Sequence, residues 1–419
     1  SVRLCFLSLS LSFPLNGESV FSTKGVVASR SAIASEIGAD ILSIGGNAVD
    51  AAVAAGFALS VTYPSAGNLG GGGFMLIRLS DGTITSNDHR EKAPLMATSG
   101  MYLDEQGEVV KGLSTRSHLA VGVPGTAAGL IDALEKYGSL DLEQVIQPAI
   151  DLASSGFALN RDLAQQFSGR IKDFFPYEAS TEIFTNSGVP YKTGDQFIQR
   201  DLAETLKRIK KYGKDGFYRG KTAELLVQEM RSHGGLISHA DLEEYRSVWR
   251  EPVIGTYRGY QIASMPAPSS GGILLIQMLN MLEPLDIQDM GFGGSGTAHA
   301  MIEAQRRAYA DRSEYLGDPD FYPVPVGRLL DKEYARERFK DFNFEAAGSS
   351  DEILPGLSGQ ESMETTHLSV MDDKGNVVAY TTTLNLSYGS KIVVSGAGFL
   401  LNNEMDDFSA KENEPNFYG

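Results

Sequence analysis

Two stretches of this sequence share one layout and lie at opposite ends of the chain. Phe74-Met75-Leu76-Ile77-Arg78-Leu79 runs into an Asp81-Gly82 turn and returns through Thr83-Ile84-Thr85. His367-Leu368-Ser369-Val370-Met371 runs into Asp372-Asp373-Lys374-Gly375-Asn376 and returns through Val377-Val378-Ala379-Tyr380-Thr381-Thr382-Thr383-Leu384. Each is a strand-forming run broken by Asp and Gly, the composition of a β-hairpin. Ile392-Val393-Val394 and Phe399-Leu400-Leu401 read as further strand. Two sheet ladders separated by a helical block predict a layered sandwich with helices on the outside.

The helical block follows from periodicity. Residues 31–63 are rich in Ala, Ile and Leu at helical spacing, and Gly45-Gly46 divides them into two helices before Pro64. Residues 125–137, 142–154, 201–212, 222–233, 273–282 and 297–315 carry apolar residues three and four apart, which predicts six more. On the last of these, Glu303, Arg306, Arg307, Asp311 and Arg312 read as a solvated face, with a partly buried ion network as the sharper alternative. The run Gly67-Asn68-Leu69-Gly70-Gly71-Gly72-Gly73 invites a phosphate-binding reading, but no Gly-Lys-Ser/Thr follows it. Backbone crowding near a site or a second strand accounts for these glycines better. Residues 341–363, rich in Gly, Ser and acids, read as a linker.

Charge and cysteine content exclude several functions. The formal net charge of −17 comes from 53 Asp and Glu against 36 Lys and Arg, and so acidic a surface repels nucleic acid. The single cysteine, Cys5, excludes an internal disulfide and any cysteine-based metal site. It lies in a short apolar, serine-rich run after Arg3, which resembles the tail of a secretory signal and is too short to span a bilayer. Residues 1–20 are therefore expected to be a leader remnant, and the protein to be periplasmic or secreted.

The chemistry concentrates at Met363-Glu364-Thr365-Thr366-His367. A threonine hydroxyl is a weak nucleophile until a base takes its proton, and the α-amine of an N-terminal threonine is such a base. Its unperturbed pKa of about 7.7–8.0 leaves a useful fraction free near neutral pH. That requires cleavage between Glu364 and Thr365. By local pattern alone, Thr365-Thr366-His367 is also an ordinary strand start, and His367 a structural hydrogen-bonder. Strand alternation sets Thr365, His367 and Ser369 on one face and Thr366, Leu368 and Val370 on the other. Thr381-Thr382-Thr383 on the returning strand offers a hydroxyl to the nucleophile. Arg90, within Asp88-His89-Arg90-Glu91, is suited to carboxylate recognition. The acids of Asn402-Asn403-Glu404-Met405-Asp406-Asp407-Phe408 are suited to an ammonium. Together they fit the head group of a free α-amino acid.

These segments, with Pro268-Ser269-Ser270-Gly271-Gly272, resemble gamma-glutamyltranspeptidases from about residue 24 onward. The resemblance implies an N-terminal-nucleophile hydrolase, a four-layer αββα sandwich matured by self-cleavage into a large-subunit region, 21–364, and the first part of a small-subunit region, 365–419. The two subunits would form a heterodimer. It implies Thr365 as the nucleophile forming a γ-glutamyl ester, Thr383 as the threonine bonding it, and Arg90 as the grip on the α-carboxylate. Asn385, Glu404 and Asp407 would hold the α-amino end. The implied substrates are glutathione and other γ-glutamyl compounds, with water or an acceptor amino acid or peptide resolving the ester. No metal or organic cofactor is implied.

In that family the sequence continues past the equivalent of Gly419 with a Ser-Ser-Met motif and a Gly-Gly pair that complete the substrate clamp and oxyanion hole. The expectation is therefore that the 419-residue chain is a fragment and inactive alone. Residues 411–419 resemble the start of a lid loop over the site. Same-fold alternatives are a cephalosporin or glutaryl acylase and a poly-γ-glutamate depolymerase; a non-catalytic binding relative is a third.

Overall fold

The computed structural model describes residues 21–349, 365–411 and 416. The leader-like segment, Glu364 and most of the linker lie outside the described residues. In chain order the main elements are β1 (Gly25–Ala28), α1 (Ala32–Ser43), α2 (Ala48–Thr62), β2 (Gly72–Arg78), β3 (Ile84–His89), α3 (Thr126–Tyr137), α4 (Leu142–Ser155), α5 (Arg200–Tyr212) and α6 (Gly220–His233). Then follow β4 (Val248–Arg250), α7 (Gly271–Leu282), α8 (Ser295–Tyr315), β5 (Thr366–Asp372) and β6 (Val377–Thr383). Every helix expected from periodicity is present, and Gly45-Gly46 does separate α1 from α2. Among the described residues no helix is long and apolar enough to cross a membrane.

The two hairpins do not form separate ladders. They merge into one six-stranded antiparallel sheet of order β1-β5-β6-β2-β3-β4. The seam is the pairing of β6 with β2, which sets Thr383 opposite Gly72 and Val377 opposite Arg78. This seam explains the glycine run. A Cβ on Gly71 would lie 2.2 Å from the Thr383 carbonyl oxygen, and one on Gly73 would lie 2.1 Å from that of Thr381. Crowding by a neighbouring strand, as expected, excludes any side chain at these positions.

Beneath the sheet lies α2, every residue of which is buried. It packs against β5 and β6 on one side and against α1, α3 and α4 on the others. A helix apolar all round belongs in the interior. Its N-terminus is capped by Asn47 and Asp50, and the Asp372 carboxylate at the end of β5 accepts from the Ala48 N–H at 3.1 Å. Asp50 and Asp372 thus stand at the positive end of the helix dipole, and Asp372 ties α2 to the strand that begins at Thr366.

Two expectations need correcting. Residues 392–394 and 399–401 are not strands; they make only isolated bridges, Val393 with Leu400 and Leu401 with Gly70. Left-handed backbone at Lys391, Gly396 and Gly398 coils this segment before a ladder can extend. The charges of α8 are not a solvated face, for Glu303, Arg307 and Asp311 are buried. Glu303 pairs with Arg306 and Arg307, Arg307 with Asp341 at 2.8 Å, and Asp311 with Arg338 at 3.0 Å. Burial without pairing would be severely unfavourable, so the network is the condition for packing this helix.

Candidate active site

Strand alternation in β5 is as expected. Thr366, Leu368 and Val370 are buried while His367 and Ser369 are exposed. The register that sets Thr382 opposite Thr366 and Thr381 opposite His367, carried one residue further, sets Thr383 beside Thr365. Directly opposed residues share a face and lie about 5 Å apart at Cβ. Thr365 and Thr383 both line a cavity of about 420 Å³ on this face of the sheet. His367 hydrogen-bonds Thr381 Oγ1 at 2.8 Å and Ser369 Oγ at 3.2 Å. Both its nitrogens are thus engaged by hydroxyls, which is the structural role expected of it.

Arg90, Glu404 and Asp407 line the same cavity. Arg90 follows directly on β3, while Glu404 and Asp407 occupy one turn of 3-10 helix. The Arg90 guanidinium contacts Glu404 and donates to Asp407 Oδ2 at 2.6 Å, and Glu91 lies 3.8 Å away. Its face rests over the Phe74 ring at 5.8 Å. Burial opposes the Arg90 charge, but the surrounding carboxylates outweigh it and raise its pKa. Burial pushes the Glu91 carboxyl up to about 7 against the pull of Arg90. Burial raises Glu404 well above the usual carboxylate range as well, with Glu91 and Asp407 adding to the effect and Arg90 opposing it. The cluster therefore holds protons at neutral pH that isolated carboxyls would release.

Thr383 and Asn385 are linked to each other. The Asn385 N–H donates to Thr383 Oγ1 at 2.9 Å, and Asn385 has left-handed backbone. The Asn385 side chain donates to the Asn403 carbonyl at 2.9 Å. It is buried there and, unlike the other five candidates, does not line the cavity. Asn385 thus supports the turn that carries the acids. Asn416, in the lid-like segment, donates to the Asp407 carbonyl.

Matches to known proteins extend along nearly the whole chain. Residues 34–419 match the gamma-glutamyltranspeptidase family model. The chain is 51% identical over 402 residues to the glutathione hydrolase proenzyme of Escherichia coli, covering 96% of this chain and 69% of that protein. The chain belongs to the gamma-glutamyltranspeptidase family. The crystal structure of Helicobacter pylori gamma-glutamyltranspeptidase superposes with a TM-score of 0.79 at 47% identity, over 82% of this chain and 99% of that one. A cephalosporin acylase structure from Bacillus halodurans superposes with a TM-score of 0.85 at 27% identity, over 98% and 75%. The N-terminal-nucleophile hydrolase fold is thereby shown.

Several residues around this gamma-glutamyltranspeptidase cavity were not distinguished by sequence reasoning. Asn68 sits under the threonine strand, donating to the Thr383 carbonyl at 2.8 Å and Thr382 Oγ1 at 3.1 Å. Asn402 donates to the carbonyls of Gly70 and Gly122, joining the acidic turn to the glycine run. Arg250 pairs with Asp88 at 2.8 Å and Asp320 at 2.8 Å on the cavity wall, where Lys92 and Arg312 also stand. Asn68 lies in the glycine run and Asn402 beside the acids, so an amide among glycines or acids is the signal the sequence offers. Arg250 carried none.

Proposed function

We propose that this protein is the precursor of a γ-glutamyl transferase and glutathione hydrolase in which Thr365 is the nucleophile after cleavage at Glu364-Thr365. The observation that carries the reading is the convergence of Thr365, Thr383, Arg90, Glu404 and Asp407 on one cavity. The freed Thr365 amine takes the hydroxyl proton, and the oxygen attacks the γ-amide carbonyl to form an ester while the amine of the leaving group departs with a proton. Water or an acceptor amine then takes the glutamyl group and restores the hydroxyl. Thr383 Oγ1 is already an acceptor for Asn385, and its contact with the Asn385 carbonyl is a long 3.5 Å. Its proton is thus available to orient Thr365.

Substrate choice follows from the ion cluster. Arg90 is paired with Glu404 and Asp407. A zwitterionic α-amino acid head enters that pairing by exchange, its carboxylate meeting Arg90 and its ammonium meeting the acids. Local net charge is conserved. A glutaryl chain brings a carboxylate and no ammonium, and would face the acids uncompensated, which favours the transpeptidase reading over the acylase one. We further propose large and small subunits of one precursor as the working heterodimer, and export as its destination. The test is release of aniline from γ-glutamyl and glutaryl anilides by the processed protein expressed from its whole gene. Preference for the γ-glutamyl anilide is expected, and equal or better turnover of glutaryl anilide would reject the substrate assignment.

A further inference from the structure

Away from the cavity, three side chains form a cluster that the reaction above does not use. His118 lies in a single turn of 3-10 helix, and Glu229 and His233 stand one turn apart on α6. Glu229 Oε1 is 2.9 Å from His118 Nε2 and 3.2 Å from His233 Nδ1. One nitrogen of each imidazole and a carboxylate oxygen lie within 4.8 Å of one another. The imidazoles stack with centroids 4.6 Å apart, and His118 is buried while His233 lies at the surface. A tetrahedral ion bound at about 2.0–2.1 Å holds its donors about 3.3–3.4 Å apart, close to the two carboxylate-to-nitrogen separations, and a small rotation of the exposed His233 ring out of the stack brings its nitrogen to the same point.

We propose that His118, Glu229 and His233 form a binding site for a divalent transition ion of the zinc type, with water in the fourth position. Two imidazoles and one carboxylate are a donor set suited to such ions, and i, i+4 spacing on a helix presents two of them to one point. Outer contacts hold the carboxylate in place. The Ser395 N–H donates to Glu229, an outer contact of the kind that orients a ligating carboxylate. The surface position of His233 gives the ion a route in.

The consequence of binding would be structural. The turn carrying His118 packs against the turn carrying Glu404 and Asp407, and Gly122 just beyond it is clamped by Asn402. An ion joining α6 to His118 fixes one wall behind the substrate-binding acids.

The experiment uses tag-free protein stripped with chelator, titrated with Zn2+ by calorimetry, with Co2+ absorption reporting coordination geometry. One ion per chain is expected, with the visible bands of tetrahedral Co2+ and a rise in melting temperature on Zn2+ addition. His233→Asn, at an exposed position, should weaken binding by more than about 100-fold. Glu229→Gln should do so too, with chelator-treated melting temperature and circular dichroism confirming that each variant is folded. Absence of stoichiometric binding by the wild type, or binding unchanged in both folded variants, would overturn the proposal.

Discussion

Arg90 and Asp407 stand 317 residues apart in sequence and are joined by a 2.6 Å hydrogen bond from Nη2 to Oδ2. The sheet makes this contact possible, since β2 is the bridge between β3, which leads into Arg90, and β6, which leads toward the acidic turn. A site assembled across a sheet seam depends on the two-pronged geometry of the guanidinium as well as on its charge. Arg90→Lys keeps the charge and loses the planar fork. It should lower kcat/KM for a γ-glutamyl anilide by about 10–100-fold, chiefly through KM, because a charged hydrogen bond contributes about 1.5–3 kcal/mol. An unchanged KM would place Arg90 outside the substrate grip.

Glu91 supplies a pH dependence. Its folded-state pKa, raised by burial to about 7, exceeds the ordinary 4.5. The folded protein therefore binds this proton more tightly than the unfolded chain does. The associated stability is present below about pH 4.5 and is lost as pH rises through 7. Glu91→Gln removes the titration while keeping the shape. The variant should melt about 2 °C or more above wild type at pH 8, with the gap closing toward pH 5. A gap independent of pH would show that Glu91 is not the titrating group.

Asn68 tests the support beneath the threonine strand. It is buried, its amide donates to three acceptors, and its carbonyl accepts from the Gly71 N–H and the Thr126 hydroxyl, each at 2.8 Å. Asn68→Ala leaves buried groups unpaired and should destabilise by about 2–4 kcal/mol. Asn68→Asp should be worse, since its carboxylate would face the Ala66 and Thr383 carbonyls, and its deficit in melting temperature should grow with pH. An Asp variant as stable as wild type beside a destabilised Ala variant would indicate that lost volume, and not the hydrogen bonds, matters here.

Thr383 is expected to act on kcat. Thr383→Ala removes the hydroxyl beside Thr365 but leaves the grip on the head group intact, so kcat should fall by about 10-fold or more with KM little changed. Thr383→Ser should restore most of it. Loss of KM in both variants would instead mean that the turn at Asn385 had shifted.

Local periodicity carried most of the fold. The helices and both hairpins were legible because each has its own pattern of apolar residues and turn chemistry. What escaped was how they combine. No local signal says that β6 pairs with β2, so two ladders were expected where both hairpins share one sheet. Val393 and Leu400 have strand composition, yet glycines with left-handed backbone between them coil the segment. The α8 charges looked solvated because burial depends on Arg338 and Asp341, which arrive from later in the chain. At the site, Arg90, Glu404 and Asp407 were recognisable as head-group chemistry. Their pairing with one another was not, because it is a property of the assembled seam.

Thr365 carries the decisive prediction. It directly precedes β5 and lines the cavity, while Thr366, next to it, is buried on the core face with Leu368. The side chains cannot exchange roles, because a one-residue slip would turn the buried Leu368 and Val370 outward. Only cleavage before Thr365, then, places an α-amine and a hydroxyl together on the cavity face. Cleavage of the 45.1 kDa chain there should give pieces of roughly 39 and 6 kDa under denaturing mass spectrometry. Thr365→Ala should remain whole, and Thr365→Ser should still be processed, since a serine hydroxyl can make the same attack on the preceding carbonyl. Thr366→Val, which keeps the buried volume, should process normally and melt near wild type. Cleavage of the Thr365→Ala chain at the same bond would assign the cut to an outside protease and remove Thr365 from the maturation step.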